Sequence, residues 1–281
     1  KVICIQDLSC FGKCSLTITM PVLACAGIEV VPLPTALLST HTGGLGHPYI
    51  HDLSREIKAI RAHWKTLSLP IHVLYCGYVS DLAQLAQIQA LIKQYPHAYR
   101  FVEPVMGDHG RLYASLPKDL PHAMRSLCQS ADCITPNMTE AYALLQEPFQ
   151  AGPYSEAQIK NLLQGLARLT NAVIVLKGIY QKDDELGCAI MEQGKLSIVR
   201  GKRLPYQYHG TGDLFAAALL GAYTQKIPFI KAVQIAMEFT YQCMEYSKQS
   251  NEDERFGLHF EPCLSTYIEQ LKQAVSTKSI M

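Results

Sequence analysis

No Cys-x-x-Cys pair occurs among the ten cysteines of this 281-residue chain. The spacing therefore offers neither a redox dithiol nor a clustered zinc site. Most of the cysteines lie in apolar settings such as Val2-Ile3-Cys4-Ile5 and Leu74-Tyr75-Cys76, where a thiol acts as a small core hydrophobe. Reduced structural thiols are expected, with Cys10 and Cys14 set apart because they flank Gly12. There is no excess of charge: the formal net value is +1, without long runs of either sign, against an electrostatically driven nucleic-acid binder. No apolar stretch reaches membrane-spanning length and no basic-then-apolar leader opens these residues, so a cytoplasmic protein with no membrane partner is expected. No Gly-x-Gly-x-x-Gly follows the first apolar run, which argues against a Rossmann dehydrogenase. Internal repeats and low-complexity linkers are missing too. What is present, 48% hydrophobic residues, is ample core for one domain over residues 1–281.

Short β-rich apolar runs alternate with longer helical patterns. Strands are expected over 2–6, 73–77, 101–105, 133–135 and 172–177, with a hairpin of 187–191 and 196–200 around Gln193-Gly194. Residues 29–38 read as an extended edge or lid strand because Pro32 and Pro34 interrupt them. Helices are expected over 15–27, 52–65, 81–94, 116–128, 137–145, 155–169, 213–225, 229–247 and 264–275, and a loose tail after Ser276. Strands alternating with helices imply parallel pairing and a sheet covered on both faces, an α/β architecture of three layers, α/β/α, with a small β lid at about 29–48. Ligands of such sheets bind beyond the carboxyl ends of the strands. Asp7, Gly77-Tyr78, Asp108, the run from Thr135 to Glu140, and Lys177-Gly178 all fall at those ends.

One motif points to chemistry. His209-Gly210-Thr211-Gly212-Asp213 precedes an alanine-rich helical run. Two glycines permit a tight turn and a close backbone approach, and the first amides of the helix form an anion site at the positive end of its dipole. Asp213, in the same turn, can take a proton from an attacking hydroxyl. Phosphoryl transfer is one reading; an ordinary turn with Asp as N-cap is the other.

Taken together the segments resemble the ribokinase superfamily and, within it, the vitamin B6 kinases. The matching residues are Gln6-Asp7 with Gly12, His41-Thr42-Gly43, Gly77-Tyr78, Pro104-Val105-Met106-Gly107-Asp108, Thr135-Pro136-Asn137 with Glu140-Ala141, and Gly210-Thr211-Gly212-Asp213. They recur in the family's order. The resemblance implies ATP as co-substrate, Mg²⁺, room for a monovalent cation, a B6 vitamer as acceptor of the phosphoryl group at its 5′-hydroxyl, and a homodimer. Asp213 is implied as catalytic base and Gly210, Thr211 and Gly212 as the anion hole. Asp108 and Glu140 are implied as the Mg²⁺ acids, with a turn acid and a helix-surface ion pair as their respective alternatives. Asn137 and Lys177 are assigned to the nucleotide phosphates; a helix cap and a structural salt bridge compete with those roles. Asp7, His41, Thr42 and Tyr78 are assigned to the substrate ring, with core packing the alternative for Tyr78 and a structural role for His41. Two positions depart from the family: Asp7 stands where serine is common, and Glu103 where aspartate precedes Pro-Val. Hydroxymethylpyrimidine kinase is the alternative within the class. A sugar kinase fits the glycine motif but not His41-Thr42, and a binding protein that lost turnover would have damaged acids, which this chain has not.

Overall fold

The structure, a computed structural model, describes residues 1–114 and 116–278. In chain order its elements are β1 (Val2–Ser9), α1 (Leu16–Cys25), β2 (Val30–Leu38), β3 (Ile50–Asp52), α2 (Ser54–Trp64), β4 (Val73–Cys76), α3 (Leu82–Gln94), β5 (Tyr99–Val102), β6 (Gly107–Asp108), β7 (Arg111–Leu112) and α4 (Leu120–Gln129). There follow β8 (Cys133–Ile134), α5 (Met138–Leu145), α6 (Glu156–Leu169), β9 (Val173–Ile179), β10 (Glu185–Glu192), β11 (Lys195–Lys202), α7 (Thr211–Thr224), α8 (Phe229–Gln249) and α9 (Leu264–Lys278). The strand order is β11-β10-β9-β8-β5-β4-β1-β2-β3, with β6 and β7 forming a separate small hairpin. The pairs β1–β4, β4–β5, β5–β8 and β8–β9 are parallel, and β9–β10 and β10–β11 antiparallel.

The parallel strands read as continuous hydrophobic runs because both faces are covered. Val2, Ile3, Cys4 and Ile5 in β1 are buried, as are all of Val73–Cys76. Local signals explain the helix starts. Ser155 and Gln158 form a reciprocal capping box ahead of α6, and Asp81 accepts the Gln84 amide at 2.8 Å ahead of α3. Asp52, expected as the cap of α2, lies one residue outside it; its Oδ1 accepts from the Ser54 amide and its Oδ2 from the Ser80 hydroxyl and the Gln84 amide group. Helix α4 starts at Leu120, within the expected 116–128 segment, with Pro121 in its first turn in place of Pro117. The strand with Pro32 and Pro34 is penultimate in the order, flanked by the three-residue β3. Helix α9 runs to Lys278, and the remainder of the expected loose tail lies outside the described residues.

The chain divides into two compact units, the first of residues 1–6, 33–36 and 52–203, the second of 7–32, 37–51 and 204–281. Strands β1 and β2 contribute residues to both. Within the first unit α2 packs on α3, α3 on α4, and α5 on α6; within the second α7 packs on α1 and α8, and α9 on α8. Helix α7 is buried from Leu214 to Ala222, as its alanine-rich, all-round apolar sequence requires. All ten cysteines are free thiols, and seven are buried. Among the described residues no helix is long and apolar enough to cross a membrane.

Candidate active site

In the first unit the strand ends β5, β8 and β9 assemble a buried polar cluster. Lys177, on β9, places its ammonium 2.5 Å from Glu103 Oε1, and the Tyr75 hydroxyl donates to Glu103 Oε2 at 2.9 Å. Lys177 is thus held by a buried carboxylate, the structural pairing left open for it, and Glu103 is the partner that sequence reasoning undervalued. A lysine at the end of an interior strand demands such an anion. Next to it Asn137 caps α5. Its Oδ1 accepts from the Glu140 amide at 2.9 Å, Glu140 Oε2 accepts from the Asn137 amide at 2.8 Å, and Glu140 Oε1 accepts from the Met106 amide at 3.3 Å. Asn137 Nδ2 also donates to the Gly107 carbonyl at 2.9 Å. Asn137 and Glu140 are therefore the two halves of one capping box. Burial pushes the Glu140 carboxyl up to about 8, against the pull of Lys177 and with a push from Glu103.

Asp108 differs from Glu140 in every respect. It lies in the β6–β7 hairpin, exposed, with Oδ1 accepting from the His109 amide at 2.8 Å and Oδ2 3.4 Å from His109 Nε2. Tyr78 is half-buried, and its carbonyl accepts from the Thr35 hydroxyl at 3.1 Å. Two buried groups here lack hydrogen-bond partners among the described residues: the Thr135 hydroxyl at the end of β8 and both ends of the Gln6 amide. Buried polar atoms without partners are uncommon and mark places where a ligand or water completes the set.

These features test whether a cation suits the cluster. Two buried carboxylates share one ammonium, burial above all holds the proton on Glu140, and the Thr135 oxygen is unsatisfied. Among the described residues no three metal-ligating side chains converge. Mg²⁺ asks for less, since it keeps waters and takes one or two carboxylates with phosphate oxygens. The chemistry of buried Glu140 and the unsatisfied Thr135 hydroxyl fits such an ion, whereas exposed Asp108 bonds to His109.

The second unit holds the remaining candidates. Gly210, at φ 85° and ψ 0°, is the N-cap of α7, a left-handed conformation that favours glycine, and a Cβ there would lie 2.5 Å from the Lys13 carbonyl oxygen. The amides of Thr211 and Gly212 occupy the first turn, where helix geometry supplies no acceptor. Half-buried Asp213 sits in that same turn. Near it, Asp7 is buried and accepts from the Ser9 hydroxyl at 3.1 Å, while Cys14 Sγ lies 3.4 Å from Ser9 Oγ. Burial raises the Asp7 pKa and hydrogen bonds from Ser15 and Ser9 oppose the rise. Burial and the charges of Asp7 and Asp213 push the Cys14 thiol well above the ordinary thiol range, which disfavours the thiolate. Ser15 itself stands at φ 48° and ψ −125° in a turn closed by Thr17 N–H to the Cys14 carbonyl at 3.2 Å, a first-corner geometry that favours glycine. His41 is buried with both ring nitrogens bonded to backbone, and Thr42 is exposed. Ser9 and Ser15 are not marked as site residues by any sequence signal, since only the folded chain brings them to Asp7; His209 is marked only as the first residue of the glycine motif.

An α/β sheet of this order, with polar residues at its strand ends and an acid in a glycine-led first helical turn, is the fold of a small-molecule kinase of the ribokinase superfamily. The chain belongs to the phosphomethylpyrimidine kinase family, whose model matches residues 19–256. Among solved structures it is similar to a pyridoxal kinase from Lactobacillus plantarum, with TM-score 0.88, 32% identity and coverage of 97% of this chain and 98% of that one. A Bacteroides thetaiotaomicron protein solved with pyridoxal gives TM-score 0.89 and 32% identity, covering 95% of each chain. A pyridoxal kinase of Arabidopsis thaliana is 30% identical over 239 residues, 75% of this chain and 70% of the relative.

Proposed function

We propose that this kinase transfers the γ-phosphoryl group of ATP to the 5′-hydroxymethyl group of a B6 vitamer. The observation that carries the assignment is the Gly210–Asp213 turn, where an acid and amides that the helix itself provides with no acceptor share the start of a buried helix. The pyridoxal bound to the Bacteroides relative supports a pyridine substrate over the alternative, hydroxymethylpyrimidine.

In this mechanism Asp213 orients the substrate hydroxyl and accepts its proton late, since a loose phosphoryl transition state asks little covalent help. The backbone of Gly210, Thr211 and Gly212 holds the migrating phosphoryl group. Asp7 pairs with the ring nitrogen or a ring substituent, while His41, Thr42 and Tyr78 border the ring. Asn137 and the Lys177 ammonium, which carries three donors, meet the nucleotide phosphates. Mg²⁺ held by Asp108 and Glu140 would supply neutralising charge to those phosphates. The whole chain, residues 1–281, is read as a single kinase domain.

A homodimer belongs to the same proposal; Tyr49, 66% exposed, just before the short strand β3, and Ile50, 48% exposed, its first residue, support it. The test is a panel measuring ADP release with pyridoxal, pyridoxine, pyridoxamine and hydroxymethylpyrimidine. Turnover of at least one B6 vitamer above the pyrimidine is expected, and turnover of the pyrimidine alone would overturn the assignment. Light scattering checks the dimer.

A further inference from the structure

Within the second unit two imidazoles far apart in sequence lie against each other. The ring centroids of His41 and His209 are 4.9 Å apart with planes tilted by 37°. Each ring occupies space that only a missing side chain leaves open: a Cβ on Gly43 would collide with the His209 ring, and one on Gly12 with the His41 ring. His41 is 4% exposed, and both its nitrogens are used. Nε2 lies 2.7 Å from the Arg255 carbonyl oxygen and so carries the hydrogen, while Nδ1 accepts the Gly43 N–H at 3.0 Å. That arrangement fits only the neutral Nε2–H tautomer. The His41 amide further donates to the Phe11 carbonyl at 3.2 Å. One imidazole thus ties residues 11–12, 41–43 and 255 together. His209, its neighbour, directly precedes Gly210, the residue that turns the chain into α7.

We propose that His209 is a positioning residue, which seats its ring on His41 and Gly43 and so holds the Gly210–Asp213 turn in register with the 41–43 segment. This role rests on the phosphotransfer function proposed above. Removing the ring frees the turn to shift against that segment, and misplacement by about 1 Å costs on the order of 100-fold in rate.

The same geometry makes the pair sensitive to acid. Protonating His41 converts its acceptor nitrogen into a donor facing the Gly43 N–H and sets a cation beside His209. Burial, and then His209, already lower the His41 pKa below the ordinary histidine value. The other charged side chains on the elements packed against it are paired, Arg255 with Asp253 at 2.5 Å and Lys13 with Glu261 at 2.8 Å. Taking away the His209 charge lets His41 titrate at higher pH.

The experiment compares the full chain with His209→Ala and His209→Phe. His209→Ala is expected to lower kcat by about 10-fold to 100-fold while the KM for ATP stays within about twofold, a margin worth under 0.5 kcal/mol, and to speed hydrogen exchange at the Gly43 amide. His209→Phe, which keeps a ring, restores most of kcat and the Gly43 protection, and moves the acid limb of the pH–rate profile upward. Wild-type kcat and unchanged exchange in His209→Ala, or no recovery in His209→Phe, or an unmoved acid limb, would each overturn the role. The exchange measurement needs no substrate. A chain that phosphorylates no vitamer would therefore sink the functional proposal while leaving His209 to be judged on Gly43 protection.

Discussion

Around Glu103, Lys177 and Glu140 the chain positions side chains with other side chains, whereas around Gly210 it positions backbone in spaces that only glycine leaves open. In the first region both oxygens of Glu103 and both of Glu140 are engaged, and one ammonium answers two buried acids. In the second, Gly210 lies against the Lys13 carbonyl and Gly43 against an imidazole. The lesson concerns what each tolerates. A saturated ionic cluster fails when a charge is deleted, because the surviving partner stays buried and uncompensated. A glycine-lined cradle fails when volume is added, because the new atom overlaps a backbone carbonyl or a packed side chain.

Mutations that sharpen this contrast rank by expected size. Asp213→Asn should have the largest effect, cutting kcat by about 10²- to 10⁴-fold as a lost general base does, with nucleotide binding by calorimetry little changed; near-normal turnover would remove the base from the second region. Lys177→Met should destabilise the fold by about 3–5 kcal/mol in chemical denaturation by stranding Glu103. A loss under about 1 kcal/mol would show that the first region is not held by charge. Gly210→Ala adds one methyl against Lys13 and imposes a left-handed φ on alanine, for a loss of about 1–3 kcal/mol, with turnover reduced alongside.

A subtler test uses pH. The folded chain raises the Glu140 pKa from 4.5 to about 8, so across that window the native state keeps a proton the unfolded state has released. Stability contributed by this group is present below about 4.5 and is lost as pH rises toward 8. Melting temperature should therefore fall over that range, Glu140→Gln should flatten the fall, and Mg²⁺ with nucleotide should offset it at the alkaline end. An identical slope in wild type and variant would show that Glu140 is not the group responsible. The smallest effect is expected from Asp7→Ser, a change of several-fold in discrimination among vitamers, about 1 kcal/mol, with the KM for ATP unmoved.

Much of the fold was legible because local signals and the global pattern agree. The apolar runs at 2–5 and 73–76 became buried parallel strands, and the Ser155 and Asn137 caps began the helices they announce. Element ends were less legible: β1 extends to Ser9 and α4 has Pro121 rather than Pro117 in its first turn, since tertiary pairing rather than propensity decides such residues. The site was half legible. The resemblance pointed to Asn137, Glu140 and Lys177, and the structure clusters them. It did not disclose that Glu103 neutralises Lys177, or that His41 Nε2 is spent on the Arg255 carbonyl, because those partners lie 74 and 214 residues away in the chain.

The Asn137–Glu140 box also bears on how variants of this protein should be screened. A pair of residues that starts a helix and is also proposed to meet the nucleotide would couple expression level to activity. A library ranked by colony growth alone would count poorly folded clones as chemically dead ones. Soluble yield has to be scored beside turnover before any substitution at those two positions is interpreted.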